Sequence, residues 1–498
     1  MEMSWIVPLF VGISLLGAFL VSLLGRKIKL LPDILGNLTV LALLCLSVLA
    51  VYVVADKGVV VYNVGNWRIP LGITLVLDGL TSFMLVTVNL VAFFIALYAV
   101  NYMKKFTSKD KFYTLFLLML AGMNGVIITG DIFNLFVFLE IASVASYALV
   151  AFGTERHELE AAFKYAVMST VGSLFILLGI VFLYSYTSTL NMADMASILA
   201  DKGASNLVLM VSALFLMGFG LKAALVPFHA WLPDAHSSAP APISAMLSGV
   251  LIKSLGVYTL CRLFYNVIGI SSSLSSILMV LGTLSMVIGV FLAIGQWDLK
   301  RLLAYHSISQ IGYVILGIGL GTPLGIAGGL FHLFNHSVFK SLLFLNSGAV
   351  EYATGTRDLK RMGGLAQKMP VTSATALTAS MSIAGIPPFS GFWSKLIIII
   401  AAVQANRYGY ALWAVIASIL TLASFMKVMK YAFFGQLKEK WSQVKEVPLC
   451  MKISMSMLAL ICLGGGLLFL PAVKEVFLDK AVRVLLEGTR YSQVILGG

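Results

Sequence analysis

Phe219-Gly-Leu-Lys222-Ala-Ala-Leu-Val-Pro227-Phe-His229-Ala-Trp231-Leu-Pro233-Asp234-Ala-His236 closes one long apolar stretch and leads into the next. It sets a lysine and a proline together at hydrocarbon depth. Pro227 cannot donate to a helix ladder, so carbonyl groups near it are freed. Freed backbone at that depth is tolerated only against protein or a wet cavity. A lysine beside such a break belongs inside a bundle of membrane helices. Snorkelling of Lys222 to the interface is the competing reading.

Composition agrees with a membrane setting. The chain has 498 residues, is 60% hydrophobic and only 11% charged, where a soluble domain carries roughly 25% charged residues. Mean hydropathy is +0.98. The net charge of +13 fits basic loops on one membrane side better than nucleic-acid binding.

A spanning helix needs about 20 apolar residues. Fourteen such segments are expected, at residues 4–24, 34–55, 75–98, 112–129, 132–150, 161–184, 207–226, 243–264, 274–294, 301–320, 324–347, 372–404, 408–434 and 452–470. They are numbered 1 to 14 below. Segment 12 is overlong and carries Pro387-Pro388, so it reads as two half-helices. The expected fold is an all-α polytopic membrane protein. The first apolar stretch lacks a basic leader and reads as a retained helix.

Lysine and arginine set an orientation. Loops after odd-numbered segments hold seventeen: Arg26, Lys27, Lys29, Lys104, Lys105, Lys109, Lys111, Arg156, Lys300, Arg301, Arg357, Lys360, Arg361, Lys368, Lys438, Lys440 and Lys445. Loops after even-numbered segments hold only Lys57, Arg68, Lys202 and Arg407, with four more basic residues on the C-terminal tail. This asymmetry places both termini outside the cell membrane.

A repeat is faintly legible. Pro227-Phe228 ahead of Trp231 resembles Pro388-Phe389 ahead of Phe392, relating segment 7 to segment 12. A weaker match of Leu159, Tyr165, Ser169 and Gly172 to Leu299, Tyr305, Ser309 and Gly312 relates segment 6 to segment 10 instead. The proline break is the rarer feature. It implies two inverted five-helix repeats containing broken helices 7 and 12. The expected organisation is 1–110 (helices 1–3), 111–265 (helices 4–8), 266–435 (helices 9–13) and 436–498 (helix 14 and tail). Inverted repeats with broken helices near the midplane are a common transporter plan.

Ionisable residues recur at membrane depth, where they are functional by default. Glu140 lies eight residues into segment 5, and Lys222 precedes the break in segment 7. Lys253 sits near the middle of segment 8. His332, His336 and Lys340 share one face of segment 11 at i, i+4 and i+8. Lys395 follows the break in segment 12. Neutral imidazole both donates and accepts, which suits a proton relay. Packing roles are the alternative at each position, yet one acid, several lysines and two histidines over five segments form a row. Cys45, Cys261, Cys450 and Cys462 stand singly, and no Gly-rich nucleotide loop occurs. No cofactor is therefore expected, and no metal, since His332 and His336 lack a further convergent ligand.

Five strings carry a family resemblance: Asp131-Ile-Phe-Asn-Leu-Phe-Val-Phe-Leu-Glu140, Pro227-Phe-His-Ala-Trp-Leu-Pro-Asp-Ala-His236, Ala304-Tyr-His-Ser-Ile-Ser-Gln310, His336-Ser-Val-Phe-Lys340 and Gly385-Ile-Pro-Pro-Phe-Ser-Gly-Phe-Trp-Ser-Lys395. The chain resembles the antiporter-like proton-translocating subunits of NADH:quinone oxidoreductase, multisubunit sodium/proton antiporters, and archaeal membrane-bound hydrogenases and sulfane reductases. Its terminal lysine and short tail look most like the D-type antiporter subunit. The resemblance implies that Glu140 and Lys222 form a coupled pair, Lys253 is the central lysine, His332 and His336 connect, and Lys395 is terminal. It implies other membrane subunits as partners, with H+ carried and Na+ exchange left open. A pumping subunit of a redox-driven complex and a scaffold without a transport path are the alternatives.

Overall fold

The computed structural model describes residues 3–106, 108–203 and 205–497. Each of the fourteen segments falls on helix, and eleven helices among the described residues are long and apolar enough to cross a membrane by length and composition. Segments 7, 11 and 12 fall outside that eleven. Segments 7 and 12 are broken into short pieces. Segment 11, Pro323–Thr354, is 32 residues long, and its His332, Asn335, His336 and Lys340 lower its hydropathy. What removes these three from the count is the breaks and buried polar groups that make them of interest.

Burial sorts the helices. Segment 8, Ala241–Val267, is buried on every side, and segment 10, Leu299–Gly319, nearly so. Segment 11 is buried continuously from Gly325 to Val350. These three make the centre of the bundle. Segments 1, 2, 6, 13 and 14 keep an apolar face outward, as helices bordering lipid do. Gly256 lets segment 8 approach the end of segment 7, because a Cβ there would lie 2.5 Å from the Ala223 nitrogen.

Three local features depart from the expected segments. Helix Asn206–Lys222 stops at Lys222, four residues short of the proline-based limit. Ala224 turns left-handed at φ 54, and the Trp231 indole donates to the Leu221 carbonyl at 3.1 Å, so the chain bends before Pro227. The helix resumes at Trp231–Ser238. Segment 12 does divide, into Pro370–Ala384 and Ser390–Gln404, with Gly385 at φ 80 closing the first half. Segment 8 winds as wide π turns at Leu247–Leu251, Lys253–Tyr258 and Arg262–Val267, a form frequent at functional sites. A two-stranded antiparallel ribbon, Val60–Asn63 with Thr74–Leu77, adds a little sheet to the all-α expectation. The β-branched run Val59-Val60-Val61 favours it, and it takes residues 75–77 from segment 3.

A constant spacing runs through the bundle. Segments 6 and 11, Arg156–Thr187 and Pro323–Thr354, are both 32 residues long and start 167 positions apart. The same 167 separates Ala241–Val267 from Tyr408–Phe434 at both ends. Isolated bridges Asp131↔Asn191 and Asp298↔Asp358 obey it as well.

The C-terminal tail closes the bundle opposite the basic loops. Arg262 pairs with Asp78 at 2.8 Å, both buried. The Tyr491 hydroxyl donates to the same carboxylate, and Asn266 donates to the Val484 carbonyl at 2.7 Å. Removing one partner of a buried pair strands the other charge, at about 3–5 kcal/mol. Asp78→Ala is therefore expected to lower the thermal midpoint of the detergent-purified protein sharply, and an unchanged midpoint would contradict this anchor.

Candidate proton-relay site

Segment 5 begins at Asp131, whose carboxylate caps the helix by accepting from the Asn134 nitrogen at 2.7 Å. One face of that helix carries Glu140 toward segments 6 and 7. Glu140 Oε1 stands 3.7 Å from Lys222 Nζ, with side chains 31% and 3% exposed. Lys222 donates to Ser143 Oγ at 3.0 Å and Ser169 Oγ at 2.6 Å. The Ser173 hydroxyl donates to Glu140. Lysine thus sits enclosed among three oxygens, whereas the glutamate opens on an apolar outer groove lined by Leu115, Leu118 and Phe136.

Lys253 is fully buried and donates to the Ser248 carbonyl at 2.5 Å. From there polar groups continue. Ser248 and Ser307 hydroxyls meet at 2.7 Å, Ser307 donates to the Leu303 carbonyl at 3.2 Å, and Lys340 donates to that same carbonyl. Lys253 and Lys340 are therefore the two ends of one short chain of hydrogen-bonding groups.

The histidines share a helix with Lys340. His332 and His336 lie with ring centres 6.3 Å apart and planes only 13° off parallel. His332 meets Ser394 Oγ at 2.9 Å through Nδ1 and Gln310 Oε1 at 3.2 Å through Nε2. Its ring is 5.4 Å from Tyr313, and Lys395 Nζ lies 4.7 Å from the centre of that tyrosine ring. Lys395 donates to the Ile383 carbonyl, freed by the helix break, at 2.7 Å. It lines a cavity of about 220 Å³ with Gly385, Phe392 and Ser418.

All six expected residues are thereby located. Glu140 and Lys222 meet directly, while His332 and Lys395 lie against Tyr313 and His336 stacks on His332. Lys222 and Lys253 share no hydrogen bond among the described residues; their helices touch at Ala223 and Gly256. Lys340, on the histidine face but outside the expected relay, shares the Leu303 carbonyl with Ser307. Sequence reasoning also misses the hydroxyls of Ser143, Ser169 and Ser173, and segment 10's His306, Gln310 and Tyr313. Serines at i and i+4 in segment 6 are a usable signal, although isolated serines are common in apolar helices. No group of three His, Cys, Asp or Glu among the described residues is placed to hold a metal ion.

A hydrogen bond to a charged group contributes about 1.5–3 kcal/mol. Ser169→Ala should therefore weaken the charged form of Lys222 and slow ion-coupled transport about tenfold at unchanged abundance, with Ser169→Thr closer to wild type. Dye-reported proton movement in membrane vesicles measures this.

Comparison with known proteins fits this geometry. Residues 129–421 match the family model described as NADH:quinone oxidoreductase/Mrp antiporter, TM. Residues 62–116 match NADH-Ubiquinone oxidoreductase (complex I), chain 5 N-terminus. The chain is 34% identical to the D-type subunit of the Na(+)/H(+) antiporter of Alkalihalophilus pseudofirmus, covering 99% of each. It is 36% identical to the N-type subunit of the NADH-quinone oxidoreductase of Desulforudis audaxviator, over 85% of this chain and 87% of that one. A chain in the Mrp complex from a Dietzia species superposes with a TM-score of 0.91 at 30% identity, over 100% of both. One in the archaeal membrane-bound sulfane sulfur reductase gives 0.90 at 32% identity, over 98% of this chain and 99% of that one. This multi-span membrane protein belongs to the NADH:quinone oxidoreductase/Mrp antiporter transmembrane family.

Proposed function

We propose that this chain is the D-type subunit of a multisubunit cation/proton antiporter, and that it relays H+ along Glu140, Lys222, Lys253, Lys340, His336, His332 and Lys395. The observation that carries the reading is the contrast between its lysines. Lys222 faces a carboxylate at 3.7 Å, whereas Lys253, Lys340 and Lys395 rest on backbone carbonyls and form no ion pair among the described residues. A permanent structural charge at such depth would need a counter-ion. A group that takes up and releases H+ needs only a hydrogen-bond acceptor in either state.

The mechanism follows from the pair. While Glu140 and Lys222 are closed, the carboxylate holds the ammonium proton in place. Opening the pair exposes the rest of the row to an uncompensated positive charge. At an effective dielectric near 20, unit charges about 7 Å apart interact by about 2 kcal/mol, enough to shift a proton equilibrium more than tenfold. The Ser248–Ser307 link and the stacked histidines then offer H+ a path toward Lys395. The antiporter relatives and the Mrp superposition favour antiport over a redox-driven pump.

The topology belongs to the same proposal. Fourteen crossings with both termini outside are supported by the alternation of lysine and arginine between loops. Two inverted units, helices 4–8 and 9–13, are supported by the 167-residue spacing of segments 6 and 11 and of segments 8 and 13. An odd step of five helices inverts one unit against the other.

Lys253→Ala in the intact complex should reduce cation-driven proton movement in vesicles to the level of complex-free membranes, with the protein's abundance retained. Wild-type movement in that variant would discard the relay.

A further inference from the structure

Where segments 9 and 13 end, three lysines meet that no carboxylate balances among the described residues. Lys427 reaches from segment 13 and donates to the Ile294 and Gln296 carbonyls at 2.6 and 2.7 Å, closing the last turn of segment 9, Ser272–Ile294. An ammonium has three donors. Two are spent on that turn, and the third is left at a half-buried edge. Lys360, from the loop after segment 11, and Lys430 are exposed. Neither ammonium meets a hydrogen-bond acceptor among the described residues. Asp298 and Asp358, the acids of the same loops, are already paired, with Arg357 at 3.3 Å and Arg361 at 3.4 Å.

Trp297 gathers these groups. Lys360 Nζ lies 4.8 Å and Lys427 Nζ 5.0 Å from the centre of its ring. Tyr431, beside Lys430, meets the same ring edge-on at 5.1 Å. Toward the middle of the bundle the surface changes character, because Phe291 and Leu292 of segment 9 and Met426 of segment 13 are exposed. Ammonium rim, aromatic layer and apolar face thus follow one another in the order of a membrane boundary. Tryptophan and tyrosine collect at headgroup level, and basic pockets between membrane helices hold anionic lipid headgroups.

We propose that this corner binds one anionic phospholipid, its phosphodiester held between Lys360, Lys427 and Lys430 and an acyl chain laid on Phe291, Leu292 and Met426. Charge selects the headgroup. A zwitterionic lipid brings an ammonium of its own, which three unpaired lysines repel. An acidic protein segment would match the rim but leave the apolar strip beneath it open. Lys427 gives the lipid a structural consequence, since the ammonium that meets the phosphate also closes segment 9. The seated lipid therefore ties the end of segment 9 to segment 13. None of the relay residues takes part, so the claim stands apart from the proton path.

The whole complex, placed in nanodiscs of equal parts phosphatidylglycerol and phosphatidylcholine, tests this directly. One lipid or the other carries a diazirine near its glycerol, and mass spectrometry locates the label after illumination. Phosphatidylglycerol should label the peptides containing Phe291 and Met426 at least tenfold more than phosphatidylcholine does. Lys360→Gln combined with Lys430→Gln, both exposed and outside the relay, should remove that excess, at about fivefold per lysine. Lys427 stays in place because it also closes a helix. Should the double variant not assemble, Lys430→Gln alone should cost the fivefold. Equal labelling by the two lipids means bulk lipid contact and overturns the site, as does an excess that survives the lysine changes. A face that takes no lipid label in the whole complex, because a neighbouring subunit covers it, overturns it too.

Discussion

Everything in this structure is arranged around ammonium groups held away from water with too few carboxylates to balance them. A charge at the centre of a membrane helix costs about 2.5–3.5 kcal/mol even on the most lenient scale. Here Lys222, Lys253, Lys340 and Lys395 lie in one bundle, and Glu140 reaches only Lys222. The remaining three depend on carbonyl oxygens of Ser248, Leu303 and Ile383. A regular helix has few such oxygens to spare, since each already accepts from the turn that follows it. The break in segment 12 releases the Ile383 carbonyl and the π turns of segment 8 that of Ser248, whereas the Leu303 carbonyl is shared within the regular helix of segment 10. Irregularity here makes Lys253 and Lys395 tolerable.

The position of the central helices follows from the same constraint. Segments 8, 10 and 11 carry the polar groups and are the most completely buried. Apolar helices with little internal chemistry form the shell. Membrane depth is thus used twice, outward for lipid contact and inward for a protected polar core. Glu140 is the exception, since its side chain is partly open on an outer groove, where the pair can be reached from outside the bundle.

Much of this is legible in the residues, because lysine in an apolar run has few innocent explanations. Glu140, Lys222, Lys253, His332, His336 and Lys395 announce themselves by charge in a setting that penalises charge. The division of segment 12 at Pro387-Pro388 is equally plain. Serine carries no such penalty, so Ser143, Ser169 and Ser173 cannot be told from packing residues until Lys222 is seen among them. Lys222 itself is expected ahead of a break at Pro227, whereas the helix ends on it, with the Trp231 indole donating to the Leu221 carbonyl. Tertiary contacts of that kind leave no mark on local sequence. The ribbon at Val60–Asn63 escapes a sequence reading because a run of three valines beside long helices carries little weight.

The account stands or falls on Glu140 and Lys222 acting as one unit within the relay. A double-mutant cycle on Glu140→Gln and Lys222→Gln, with cation-driven proton movement by the intact complex as the readout, isolates their coupling. Coupled residues should give a double variant no slower than the slower single one. Losses that simply multiply would mean that the two side chains act independently, and the pair would have no place at the head of a proton path.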